Sequence, residues 1–273
     1  MKAEVNNHNG MRGATLLEAL IALAITGIVT MAIMKLYLTQ HENYLVQDNI
    51  TTIQQNARAS IDELTRHIRM AGHGMPASLE SVVAANSNPD TITVRYVASG
   101  CATRLSEAMP QPSSELKCAG DVSCFFDGQW VYMFDPDFGG GEWFQLTEVQ
   151  TGSLHLQHNT MVLSRAYGAN SVVLDMNEVK FFVDQTTDPD HPDLMIQHGN
   201  QSPQVYAENI ADLQFTYRLS NGVVVMTPLL SKHIREVIIS VTARSDQPNQ
   251  DNAQDPYRTR TYTSSVNLRN VGV

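Results

Sequence analysis

The stretch MRGATLLEALIALAITGIVTMAIM, residues 11–34, decides how the chain is built. Residues 14–34 form an apolar run long enough to cross a bilayer as a helix, which takes about 20 residues. Glu18 is the only ionisable side chain in that run. A carboxylate in a membrane-length segment is costly and marks a functional position by default. Locally the cost is bearable. Thr15-Leu16-Leu17-Glu18 fits a capping box, with Thr15 as helix N-cap and Glu18 reaching back to the N-cap amide. The positive end of the helix dipole also favours a carboxylate there.

Upstream, MKAEVNNHNGMRG (residues 1–13) is short and polar, with Lys2 and Arg12 set against Glu4. No small-x-small cleavage site follows the apolar run, so this is not a secretory signal peptide. Beyond Lys35 the flank carries Glu42 and Asp48. The asymmetry predicts a cytoplasmic N-terminus and a large C-terminal part on the far side of the membrane. Downstream, Val46, Ile50, Ile53, Ala57, Ile61, Leu64 and Ile68 recur at helical spacing, against a polar face of Gln47, Asp48, Gln54, Gln55, Arg58, Asp62, Glu63 and Arg66. No proline interrupts residues 14–75, and AGHGMP (residues 71–76) supplies the stop. A single helix over about 14–71 would be about 85 Å long. Its first half suits lipid and its second half suits one packed face.

From residue 77 the texture changes to short β-rich runs separated by Gly, Pro, Asn and Asp. Strands are expected over 91–98, 129–135, 143–149, 153–159, 171–175, 178–184, 212–219, 222–226, 234–244 and 257–269, several of them alternating as half-buried antiparallel strands do. The fold class is therefore α+β: a long N-terminal helix, half transmembrane and half amphipathic, packed on an antiparallel β-rich globular head. The organisation is a cytoplasmic leader (1–13), a transmembrane or filament-core helix (14–35), an amphipathic helix with its stop (36–76) and the head (77–273).

Net charge is −10, which argues against direct binding of nucleic acid, because that needs a basic face. The three cysteines are Cys101, Cys118 and Cys124. In an oxidising compartment one pair forms a disulfide and one thiol is left over. Three pairings are possible; the Cys118–Cys124 loop is the simplest to close, with Cys101 the alternative partner. DQTTDPDHPD (184–193) gathers Asp184, Asp188, Asp190 and Asp193, but lacks the spacing of a calcium loop and reads as a solvated tip. DPDFGGGEW (135–143) reads as a hairpin loop made mobile by Gly139–Gly141. His67 and His73 read as surface or helix-end groups, not metal ligands, and Met70 and Met75 as packing residues. No motif supports a hydrolase triad, and nothing calls for an enzyme, a cofactor or a metal.

The pattern around Glu18 is more specific than a capping box. A short charged leader ends in Gly13, followed by Ala14, Thr15, two leucines, Glu18 and apolar or small residues. This resembles the class III signal of type IV pilins and pseudopilins. The resemblance implies that a prepilin peptidase cuts between Gly13 and Ala14 on the cytoplasmic side and then methylates the Ala14 amine. Ala14 departs mildly from the Phe or Met that many members carry. A cut after Gly10 would leave Glu18 too deep and put Arg12 in the helix. The Glu18 carboxylate would neutralise the new amine, its own or a neighbour's, and so dock the subunit in register. The leader carries +1, so the remaining side chains sum to −11.

Further stretches resemble the PilW-like minor pilins: ARASIDELTRHIRMAGHG (57–74), GQWVYMFDPD with WFQLTEVQTGSLHLQHN (128–159), AENIADLQFTYRL (207–219), HIREVIISVTARS (233–245) and VNLRN (266–270). That resemblance implies a tip complex that primes pilus assembly and so supports adhesion, twitching motility or DNA uptake. The implied partners are the prepilin peptidase/N-methyltransferase, other minor pilins, the major pilin, the inner-membrane assembly platform, and lipid along residues 14–35. The implied location is the inner membrane, with the head in the periplasm, and then the pilus tip. The C-terminal pattern is shared with J-type pseudopilins of type II secretion. A reading from another class is an uncleaved membrane-anchored adhesin or sensor.

Overall fold

The computed structural model describes residues 15–76, 78–97, 99–248 and 257–270. The chain divides into two compact units, the first ending at Thr51 and the second beginning at Thr52. One α-helix, α1 (Leu16–Met70), runs through that boundary. In the second unit the predicted stripe is the packed face: Ile53, Ala57, Leu64 and Ile68 are buried and Ile61 is partly so. Arg58, Asp62 and Arg66 face solvent. Two polar contacts add to the seam, Asn56 Nδ2 donating to Glu208 O at 2.9 Å and Tyr206 Oη to Ala59 O at 3.4 Å.

The helix ends where the glycines take over. Gly72 sits at φ 78° and Gly74 at φ 67°, the left-handed region that a side chain disfavours. The freed Gly72 N–H donates to Arg95 O at 2.9 Å, and Val97 N–H donates to His73 O at 2.8 Å. The stop is thus also the joint to the sheet. Met70 and Met75 both pack against buried clusters, as expected for filling residues.

The described strands, in chain order, begin with β1 (Val82–Ala85), β2 (Thr91–Tyr96), β3 (Ala102–Arg104), β4 (Leu116–Lys117) and β5 (Trp130–Asp135). Next come β6 (Gly140–Gln145), β7 (Glu148–Gln150), β8 (His155–Gln157), β9 (Val172–Leu174) and β10 (Asn177–Asp184). The last are β11 (Asp193–His198), β12 (Gln204–Ala207), β13 (Ile210–Leu219), β14 (Val224–Val225), β15 (Ile234–Arg244) and β16 (Thr259–Asn267). Every pairing is antiparallel. The sheets run β1-β2-β10-β11-β12, β14-β13-β15-β16, β3-β9-β5-β6 and β4-β8-β7. The molecule is therefore α+β, with the helix packed on a head of antiparallel sheets.

The first two sheets and the helix stripe enclose one core, in which Ile92, Val94, Phe181, Leu213, Phe215, Ile239 and Val241 meet Leu64 and Ile68. The two smaller sheets close a second core around Leu116, Val131, Met133, Phe144 and Leu156. Strand β5 explains how the cores connect. Val131 and Met133 point into the second core, while Tyr132 and Phe134 point the other way, into a third cluster with Val97, Val172 and Leu174. A strand buried on both faces reads as a continuous apolar run, as VYMF does.

The structure corrects several expectations. The disulfide joins Cys101 to Cys124, with Cα atoms 5.8 Å apart, and Cys118 is the free thiol. The Cys118–Cys124 loop is short enough to close, but Cys118 bridges to Leu105 and is buried in the second core. Burial pushes its pKa up to about 11, so the thiol is inert at neutral pH. In the GGG segment, Gly140 and Gly141 are strand residues paired with Asp135 and Phe134, which leaves only 136–139 as the turn. The 143–149 run breaks at Leu146, whose N–H donates to Gln129 O, so it supplies two strands of different sheets.

His67 lies in the last turn of the helix, as expected of a helix-end group, but it is buried and not at the surface. Its Nε2 lies 3.0 Å from Glu63 Oε1 and its Nδ1 3.0 Å from Tyr96 Oη. A neutral ring satisfies both partners, donating from Nε2 to the carboxylate and accepting at Nδ1 from the phenol. Burial lowers the His67 pKa, and Glu63 offsets this only in part. Burial alone would raise Glu63, but hydrogen bonds from Arg66 and His67 outweigh it and hold that carboxyl below its usual range. The unfolded chain therefore takes up a proton below about pH 6.5 that native His67 resists. Stability is expected to fall as the pH drops from 7 towards 5, by at most about 1.4 kcal/mol per pH unit from this group. Urea unfolding at several pH values checks it, and His67→Gln should flatten the slope. The exposed His191, raised by its hydrogen bond to Asp188, works in the opposite direction.

Candidate functional site at the helix start

The first turn of α1 is organised by two side chains. Thr15 O accepts the first helical bond, from Ala19 N–H at 3.2 Å. Glu18 N–H donates to Thr15 Oγ1 at 3.3 Å. In return, Glu18 Oε2 accepts from Thr15 N–H at 2.9 Å and from Thr15 Oγ1 at 3.2 Å. This is the reciprocal geometry of a capping box. It satisfies two amides that a helix otherwise leaves open, and it turns the carboxylate back towards the chain upstream of the helix.

The helix that follows is apolar on all sides. Leu16, Leu17, Leu20, Ile21, Leu23, Ile25, Ile28, Met31, Ile33 and Met34 are all exposed in the single chain. It is long and apolar enough to cross a membrane. The Thr26 hydroxyl is satisfied internally, with Oγ1 donating to Ala22 O at 2.7 Å. That bond lowers the polar cost of placing Thr26 in lipid or among other helices. The helix start is thus a lone carboxylate, held by its own N-cap, at the front of an uncovered apolar surface.

Gly13 and Ala14, the expected cleavage and methylation positions, lie outside the described residues, as does the leader 1–13. Thr15 and Glu18 are brought together; the cysteines and the acidic loop lie elsewhere, in the head. In that loop three of the four carboxylates have protein partners. Asp184 accepts from Thr186 and Thr187, Asp188 pairs with His191 at 3.1 Å, and Asp193 accepts from Asn209 N–H at 3.1 Å. Among the described residues no cluster of His, Cys, Asp or Glu is placed to share a metal ion.

The head also carries a groove bounded by β5, β6 and the start of β10. The chain's two tryptophans, Trp130 and Trp143, line the same groove. Both stand in the 128–159 stretch, and the β5–β6 pairing brings them to one groove by setting Trp143 opposite Tyr132, two residues from Trp130. No family model matches the chain, and comparison with curated proteins and with solved structures finds no similar protein.

Proposed function

We propose that the chain is a PilW-like minor pilin: a membrane-held subunit that enters a type IV pilus by its helix and primes assembly at the tip. The observation that carries this reading is Glu18. It is the lone charge of a membrane-length helix, held at its first turn, and it follows a glycine that ends a short basic leader. An amine generated at Ala14 would stand one residue before the amide that Glu18 already accepts from, so a short side-chain adjustment would pair the two charges. Between helices packed away from water, an unpaired charge of either sign is expensive, so pairing selects one axial register. The uncovered apolar surface suits lipid before assembly and neighbouring helices after it.

A β-rich head with several sheets on one helix suits a scarce initiating subunit better than a densely repeated shaft. The test is deletion of the gene, scoring surface pili and secreted enzymes together. Loss of pili with secretion intact is the expected result. Loss of secretion with pili intact would instead identify a pseudopilin of a secretion system.

A further inference from the structure

The groove that holds both tryptophans has the chemistry of a carbohydrate site. Trp130 and Tyr132 share one face of β5, and Trp143 opposes Tyr132 in register across β6, so three aromatic rings lie on the same side. Tyr132 and Trp143 meet edge to face, with ring centroids 5.3 Å apart. That contact fixes the Trp143 ring, while Trp130 is 44% exposed. The facing wall is polar: Asp175 between β9 and β10, Asn177 and Glu178 at the start of β10, and His198–Gln201 at the end of β11 and in the turn that follows. The turn is pinned, with Gly199 N–H donating to Glu178 O at 2.7 Å and Gln197 Nε2 to Gln201 O at 3.0 Å. The site is therefore preformed.

The charge of the wall narrows the ligand. No lysine or arginine lines the groove, which disfavours phosphates and acidic ligands. The Glu178 carboxylate is neutralised by Arg95, with Nε 2.5 Å from Oε2. The side chains of Asp175, Asn177 and Asn200 make no hydrogen bond to other described residues, so their polar atoms are open to a ligand. Flat apolar faces on one wall and open amide and carboxylate groups on the other match a pyranose ring, which is apolar on its C–H face and rimmed by hydroxyls. The groove's volume, about 220 Å³, lies below the roughly 300–1,000 Å³ of pockets for larger ligands. It holds one ring, with the rest of the glycan leading into solvent.

We propose that this groove binds a neutral glycan, Trp130 and Trp143 stacking on a sugar ring and Asp175, Asn177 and Asn200 bonding its hydroxyls. The site lies wholly in the head and stands or falls independently of the Glu18 reading. The competing occupant is an organic ammonium, drawn by the indoles and Asp175.

The chain carries its own probe, because its only tryptophans are both in the groove. Intrinsic fluorescence of the full chain, kept in a polyoxyethylene detergent free of sugar head groups, is titrated with cellotetraose, maltotetraose, xylotetraose and chitotetraose to about 10 mM, a range that captures weak binding. Choline is titrated in parallel. A saturable emission change with at least one sugar is expected. Asp175→Asn and Asn200→Ala should each weaken it at least about fivefold with the fold intact by circular dichroism. Trp130→Phe should leave a Trp143 signal that still responds, at lower affinity. No saturable response to any of the four sugars would overturn the proposal. So would a response unaffected by the Asp175 and Asn200 substitutions, or tighter binding of choline than of every sugar.

Discussion

Replacing Glu18 by glutamine is expected to stop filament assembly as completely as replacing it by alanine. The two substitutions separate the roles that this residue combines. Glutamine serves in a capping box as well as glutamate does, so Glu18→Gln keeps the bonds to Thr15 and the start of the helix. Alanine removes both the cap and the charge. If Glu18 only capped the helix, glutamine would assemble normally and alanine would show a mild defect. If the charge docks the subunit, both variants leave an amine unpaired among packed helices. Incorporation should then drop by about two orders of magnitude, the scale set by removing one partner of a desolvated ion pair. Thr15→Ala gives the opposite control, losing the cap at a cost of about 1 kcal/mol while keeping the carboxylate. Pilus counts, with membrane levels of each variant measured alongside, read the result. Normal piliation in Glu18→Gln would remove the docking role.

The largest stability effect is expected at Gly141. It pairs with Phe134 in the β5–β6 hairpin, and a methyl group there would fall well inside the envelope of the Met133 carbonyl oxygen and within 2.9 Å of the Tyr132 ring. Backbone cannot yield as a side-chain tip can. Gly141→Ala should therefore part the hairpin and cost about 3 kcal/mol or more, against a total of about 5–15 kcal/mol for a folded domain. Gly139 is the internal comparison. It sits in the turn at φ 73° with open space around its missing side chain, so Gly139→Asn should be tolerated. Denaturant unfolding of the two variants beside the parent chain measures the difference. The same hairpin carries both tryptophans, so Gly141→Ala also disrupts the groove.

What the sequence made legible follows from locality. The helix stripe is a repeat within one element, and Ile53, Ala57, Leu64 and Ile68 are where that repeat puts them. The 234–244 strand matches to the residue because it alternates without a break from Val237 onward and its neighbours on both sides are long. The capping box needs only Thr15 and Glu18. Strands β1, β3, β4, β11 and β12 were not legible: β1, β11 and β12 are short and flanked by polar turns, and β3 and β4 are two- or three-residue strands held by partners far away in sequence. Leu116–Lys117, for example, is a strand only because His155 and Leu156 lie opposite. The disulfide failed for the same reason. Loop length favours Cys118, whereas the bridge of Cys118 to Leu105 beside β4 holds it away, and Cys101 meets Cys124. His67 misled because a polar residue one position off an apolar stripe looks exposed, yet Tyr96, on a strand, gives it a buried partner.

The docking role of Glu18 requires that an amine be made at Ala14. The intact mass of the chain purified from its own membrane, with sequencing of its first residues, answers this directly. A chain that begins at Ala14 and carries one added methyl group is the predicted result, and Gly13→Val should leave the full-length form. A chain retaining residues 1–13 would contradict the account and make the protein an uncleaved membrane-anchored head.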